Sequence, residues 1–325
     1  MAVKFAYFLL LIIISILRSE QQTLRELKKR NVAKPISLQT ITEAEIKAYM
    51  DNPANKPKLD FKPTGRYPQT NRAGLSEYHL APQILGGTNA SQKQFPWVAY
   101  MACDDRWLCS GAVISADWIL TAGNCVYDIN EFEIYVGGVD LDVEEKFEQI
   151  VFADNYYLHP NYSQITFEND IALIPVNLTF NDYYYPYIRP ICLPKLSQTS
   201  NTFTKVSAVI AGYGNLADDS ATDGSRFMQY VTLRTVNNAV CVANFGVSQF
   251  YSTNICTSPH PTKAPCHNDE GAPLMYRDPE TGRYTVIGIY SFGSIYSCAN
   301  RPAAYTRVSS FLGWISQVTN LAIRP

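Results

Sequence analysis

The octapeptide CHNDEGAP at residues 266–273 places His267, Asp269 and Glu270 within a few residues of one another. A carboxylate such as Glu270 can act as a nucleophile, as in the retaining glycosidases, and an imidazole such as His267 can exchange protons near neutral pH. A hydrolase built on Glu270 and His267 is therefore one reading of the stretch. The plainer one is a histidine exposed on the rim of a pocket. Cys266 does not open a metal site, because the chain has neither a C-x-x-C pair nor a histidine-rich tract.

The segments that would position these residues are short and β-rich. From Ile84 onward WVAYMAC, SGAVISADWILTAG, FEIYVGG, KVSAVIAG, RYTVIGIYSFG and AAYTRV are separated by Gly, Asp and Asn. Many brief strands without intervening helices predict an all-β barrel or sandwich. One helix is expected at the C-terminus, where Phe311, Trp314, Ile315, Val318 and Leu321 recur at spacings of three and four. No internal repeat and no low-complexity tract is present.

Residues 1–83 differ in kind. Lys4 precedes a 13-residue apolar run, Phe5–Leu17, too short to span a bilayer and matching the core of a secretory signal peptide. Residues 18–83 read as a largely unstructured extension or pro-segment. Thr23-x-x-Glu26 and Thr42-x-x-Glu45 could cap two short helices there, and prolines at 53, 57, 63 and 68 interrupt the rest. The extension holds 12 Lys and Arg against 7 Asp and Glu, a net of +5; from Ile84 the balance is 14 against 22, a net of −8. An acidic body gives no support for nucleic-acid binding. Eight cysteines behind a signal peptide predict disulfides in an oxidising compartment, and Asn89, Asn161 and Asn177 lie in glycosylation sequons.

Over 84–325 the chain resembles the chymotrypsin-like, trypsin-fold serine proteases, with several motifs in the family's order. ILGGTNASQKQFPWVAYM resembles the mature N-terminus, CSGAVISADWILTAGNC the segment of the catalytic histidine, and HPNY with NDIAL that of the aspartate. PICLP, AGYG, CHNDEGAP, GIYSFG and AAYTRV follow in sequence. The resemblance implies two six-stranded antiparallel β-barrels and a C-terminal α-helix, so the chain divides into signal peptide 1–17 and extension 18–83, both read from composition, and protease-like domain 84–325.

Carried over position by position, the resemblance puts Asn124 where the family has its histidine and Glu270 where it has its serine, and keeps the aspartate as Asp170. In the triad mechanism a hydroxyl attacks, an imidazole carries its proton and a buried aspartate orients the imidazole. An amide has no usable pKa for that transfer, and Glu270 supplies a carboxylate in place of the hydroxyl. The oxyanion glycine falls on Asn268, a second glycine after the nucleophile on Ala272, and the pocket positions on Ala264 and Ala303. These changes predict a chain that is not an enzyme, with Asn124 donating its NH₂ to Asp170 and Glu270 together.

The same resemblance implies the disulfides Cys109–Cys125, Cys241–Cys256 and Cys266–Cys298. Cys103 and Cys192 are left to pair with each other, stay free or join another chain. Asp269 is the family's acceptor for the α-amino group released by cleavage before Ile84, although Gln83 replaces the usual basic residue there. Glu145 and Glu148 match two carboxylates of the family's calcium loop, but the first falls on Gly138, so the loop is read as acidic and without metal. No cofactor is expected. The function expected is a secreted homologue acting by protein binding: a cofactor, decoy or regulator in an extracellular proteolytic cascade of immunity, reproductive fluid, venom or saliva. Its partner would be an active protease, an inhibitor or another cascade component, met through the loops around the cleft and the tyrosine-rich NDYYYPYIRP at 181–190. A passive structural component and the Glu270/His267 hydrolase remain as alternatives.

Overall fold

The computed structural model describes residues 84–325 except 105–106, 181–186, 215–224, 246–249 and 295–296. The signal peptide, the extension 18–83 with its two capping patterns, Gln83 and most of the tyrosine tract lie outside the described residues. Among the described residues no helix is long and apolar enough to cross a membrane.

The chain begins with β1 (Thr88–Asn89), then β2 (Val98–Cys103), β3 (Trp107–Val113), β4 (Trp118–Thr121) and the single-turn helix α1 (Gly123–Val126). Next come β5 (Phe132–Val136), β6 (Gln149–Ala153), β7 (Tyr157–Leu158) and β8 (Ala172–Pro175). The second half holds β9 (Ser207–Gly212), β10 (Gln229–Val236), α2 (Ala239–Phe245), β11 (Asn254–Thr257), β12 (Pro273–Arg277), β13 (Tyr284–Phe292), β14 (Ala303–Arg307) and α3 (Leu312–Thr319).

These strands form two antiparallel sheets. In the second, β10, β11, β14, β13, β12 and β9 follow one another and β9 returns to β10, which closes a six-stranded barrel with β1 added on β10. The first runs β6-β5-β2-β3-β4-β8-β7 and curls as a half-barrel. The expected all-β fold is therefore present, with one barrel closed and the other open at its ends. Two-residue β7 is a strand too brief to stand out in the sequence.

Alternation explains which faces turn inward. In β5 Phe132, Ile134 and Val136 are buried while Glu133 and Tyr135 between them are less so. β10 repeats the pattern, burying Gln229, Val231, Leu233 and Thr235. β13 is instead buried almost throughout, from Thr285 to Ser291. Each large apolar side chain sealed in this way contributes about 1.5–3 kcal/mol.

The C-terminal stripe forms α3, with Leu312 and Ile315 buried. The helix stops at Asn320, whose φ of 58° is left-handed and whose N–H closes onto the Ser316 carbonyl. All three implied disulfides are formed: Cys109–Cys125, Cys241–Cys256 and Cys266–Cys298, with Cα separations of 6.0, 5.9 and 5.4 Å. Cys103 is buried in the first core and Cys192 is half-buried; they do not pair with each other.

Candidate active site

The two sheets are joined by polar contacts along one seam. The Ser110 N–H of β3 donates to the Glu270 carbonyl at 2.7 Å, while within the first sheet Thr121 Oγ1 of β4 holds the Ser110 carbonyl at 2.7 Å. Thr306 Oγ1 of β14 donates to the Asp170 carbonyl at 2.7 Å. The candidate residues stand on this seam, each at the end of a strand. Asn124 lies in α1 just after β4, Asp170 just before β8, and Glu270 in the turn before β12.

Asp170 is fully buried and both carboxylate oxygens are engaged. Oδ1 accepts the backbone N–H of Asn124 at 2.7 Å, and Oδ2 accepts the Ser291 hydroxyl at 2.5 Å. Burial raises its pKa to about 7; the Ser291 and backbone hydrogen bonds oppose the rise, and the Glu270 charge adds to it. Ser291, on β13 of the closed barrel, carries no signal of this role in the sequence, although it sits inside the GIYSFG motif. Gly123 packs closely beside it: a Cβ there would stand 2.8 Å from Leu158 Cδ1 and 3.1 Å from Asp170 Oδ1.

The expected bridge from the Asn124 amide to two carboxylates is not made. Its Nδ2 donates to the Ser291 carbonyl at 2.9 Å, and only its backbone N–H serves Asp170. The reason is competition: the carbonyl of β13 offers an acceptor, while Asp170 is already satisfied by Ser291 and by the backbone. Two acceptors are left over. Asn124 Oδ1 and Glu270 Oε2 are buried and have no hydrogen-bond partner among the described residues.

The turn that carries Glu270 holds two residues at positive φ, Asn268 and Gly271. Asn268 takes φ +70°, a left-handed conformation that asparagine tolerates better than most residues, so the lost glycine does not unmake the turn. At Gly271, φ is +84° and a Cβ would collide with the Ser110 carbonyl oxygen, so glycine is obligatory there. His267 is half-buried, and no hydrogen bond joins it to Glu270 among the described residues. The pocket positions Ala264 and Ala303 are buried, as is Ala272, two residues after Glu270.

Asp269 is sealed under the turn. Its oxygens accept the N–H groups of Gly214 at 2.8 Å and Cys266 at 2.9 Å, and burial raises its pKa to about 7, with the Glu270 charge adding to the rise. Ile84 is fully buried in the core of the closed barrel, and Asp269 is held by backbone amides. In the acidic loop, Glu145 accepts from Gln92 Nε2 at 2.7 Å and from the Val139 N–H at 2.5 Å, which commits it to closing the loop. Asn89, Asn161 and Asn177 are exposed, and Asn89 Oδ1 accepts from Gln229 Nε2. Of the tyrosine tract, Tyr187 is described; it stacks on Phe147 at 4.7 Å, with Lys93 Nζ 4.3 Å from its ring.

A barrel and half-barrel meeting at a seam that carries these residues define a trypsin-like serine protease domain. The Trypsin family model matches residues 84–315, and the chain belongs to that family. The β subunit of clotting factor G from Tachypleus tridentatus is 29% identical, over 76% of this chain and 85% of the relative. Brachyurin from Leptuca pugilator is 32% identical, over 73% of this chain and 99% of its own length. The solved structure of HL collagenase superposes with a TM-score of 0.65 at 28% identity, covering 74% of this chain and all of that one.

This membership corrects one expectation. The chain was expected not to be an enzyme because two triad positions are substituted, yet the proteins it is similar to are named as enzymes or as a clotting factor. The loss of an imidazole and a hydroxyl argues against one proton relay and says nothing about other chemistry at the site. Glu270 stands at the nucleophile's position, in the turn before β12.

Proposed function

We propose that this trypsin-family domain is secreted and works in an extracellular proteolytic cascade by engaging a polypeptide at the seam between its two sheets, as a cofactor or regulator of its partner. One observation carries the reading: among the described residues Asn124 Oδ1 and Glu270 Oε2 are buried acceptors without donors, and they stand at the two substituted positions of the family's site. Leaving such atoms unpaired costs about 1–3 kcal/mol each, and an N–H donor from an incoming chain would offset that cost. The formed disulfides suit an oxidising compartment, and the apolar run at 5–17 suits export. Exposed Asn161 and Asn177 suit glycans. The similarity to a clotting-factor subunit favours a cascade as the setting.

A second reading places hydrolysis at the same site, with Glu270 as the reacting group; the names brachyurin and HL collagenase favour it. Crosslinking with mass spectrometry on the secreted protein, run beside a peptide-library assay, separates the two. A stoichiometric polypeptide partner crosslinked near Asn124 and Glu270 supports the first. Peptide turnover that vanishes in Glu270→Ala replaces it with the second.

A further inference from the structure

Away from the seam, on the outer face of the closed barrel, two depressions of about 410 and 250 Å³ share Ser207 and Thr232 in their walls and so form one continuous groove. Its floor is the β10-β9-β12 ladder. Arg234 of β10 pairs directly with Ser207 of β9. On the other side Met275 and Tyr276 of β12 pair with Val209 and Ala208, so the next step of the ladder sets Arg277 beside Ser207. Adjacent strands lie about 4.8 Å apart, which puts the two arginine Cα atoms on the order of 10 Å from each other with a hydroxyl between them.

The chemistry of this row is one-sided. Arg234, Ser207 and Arg277 are exposed, no acidic side chain lines either depression, and neither arginine is in an ion pair among the described residues. Arg277 is steadied by donating Nε–H to the Gly282 carbonyl at 3.1 Å, which turns the rest of its fork to other use. His260 and Ser258 extend the groove at one end, and Tyr276 and Tyr284 line the other. On a body of net −8, such a row is a local exception with a direction to its charge.

The geometry points to a binding site for a sulfated oligosaccharide. Two guanidinium forks that far apart suit sulfate esters on neighbouring sugar units, since the fork matches the paired oxygens of such an anion. Ser207, Thr232 and Ser258 offer hydroxyls to sugar hydroxyls, and the tyrosine rings offer flat apolar faces to sugar rings. A short saccharide suits the site better than a long polyanion, because a body of net −8 repels the rest of a polymer.

Calorimetric titration of the full chain with a sulfated glycosaminoglycan hexasaccharide tests the site. Saturable binding that weakens with added salt is expected, with at least about a tenfold loss in Arg234→Ser/Arg277→Ser and none in Arg301→Ser, an exposed arginine elsewhere. Ser207→Asp, which sets a negative charge between the forks, should abolish binding. Absence of binding by the wild-type chain, equal affinity in the double variant, equal affinity for the desulfated hexasaccharide, or equal affinity for a single-stranded oligonucleotide would each overturn the proposal.

Discussion

Asn124 gives Asp170 its backbone N–H at 2.7 Å and turns its side chain away, donating the amide to the Ser291 carbonyl at 2.9 Å. Ser291 in turn donates its hydroxyl to the other Asp170 oxygen. The carboxylate of the first sheet is thereby locked to a strand of the second. Ser291 joins the two halves of the site through its hydroxyl and its carbonyl.

Stability should fall as pH rises from acid to neutral. Asp170 and Asp269 have folded-state pKa values of about 7 against an ordinary 3.8, so the folded chain holds their protons where the unfolded chain has lost them. That contribution is complete below pH 3.8 and is gone once pH passes about 7. Each group accounts for at most roughly 4 kcal/mol across that window. Denaturant titrations at several pH values measure the slope, and Asp170→Asn should flatten it.

Glu270→Gln should lower the pKa of both buried aspartates, though by less than burial raised it, because the Glu270 charge is a smaller cause than desolvation at each. Carbon NMR titration of the carboxyl groups reads the shift. Unchanged values would show that Glu270 does not share their field.

Gly271→Ala should cost at least about 3 kcal/mol or prevent folding, since the new Cβ meets the Ser110 carbonyl oxygen and Thr121 Oγ1. Gly282→Ala is the matched control. Its φ of +67° is also left-handed, but nothing lies within 4 Å of the added Cβ, so only the backbone cost of about 1 kcal/mol is expected. Urea unfolding distinguishes the two.

Replacing both Cys241 and Cys256 by alanine should remove about 3 kcal/mol, the chain-entropy value for a loop of 15 residues. α2 begins two residues before Cys241 and loses its tether to β11. Equal unfolding midpoints for oxidised wild type and the variant would contradict this.

If the chain is cut between Gln83 and Ile84, the freed amine should seek Asp269, the buried carboxylate beneath the Glu270 turn. Its pKa should then drop, because a cation stabilises the charged form. N-terminal sequencing of secreted protein reports the cut, and carboxyl titration of the two forms reports the drop. Material that retains its N-terminal extension throughout would exclude the cut.

Much of the architecture was legible residue by residue. Alternation in FEIYV and QYVTLRTV marked strands and their buried faces, the 311–321 stripe marked α3, and the flanking motifs located Asn124, Asp170 and Glu270. These signals are local: each depends on a periodicity or a turn that a short window contains. Two substituted residues could not carry the function in the same way, because identity at a position says which mechanism is missing and not what the assembled site does.

Folding in three dimensions settled the rest. The amide of Asn124 chose Ser291 over two carboxylates because a strand 167 residues further along brought a carbonyl within reach. The Arg234–Ser207–Arg277 row exists only in the register of three strands, two of them drawn from beyond residue 228. Neither was readable from sequence, since a side chain's rotamer and partners are selected by whatever long-range pairing sets beside it, and that choice leaves no periodic trace in the chain.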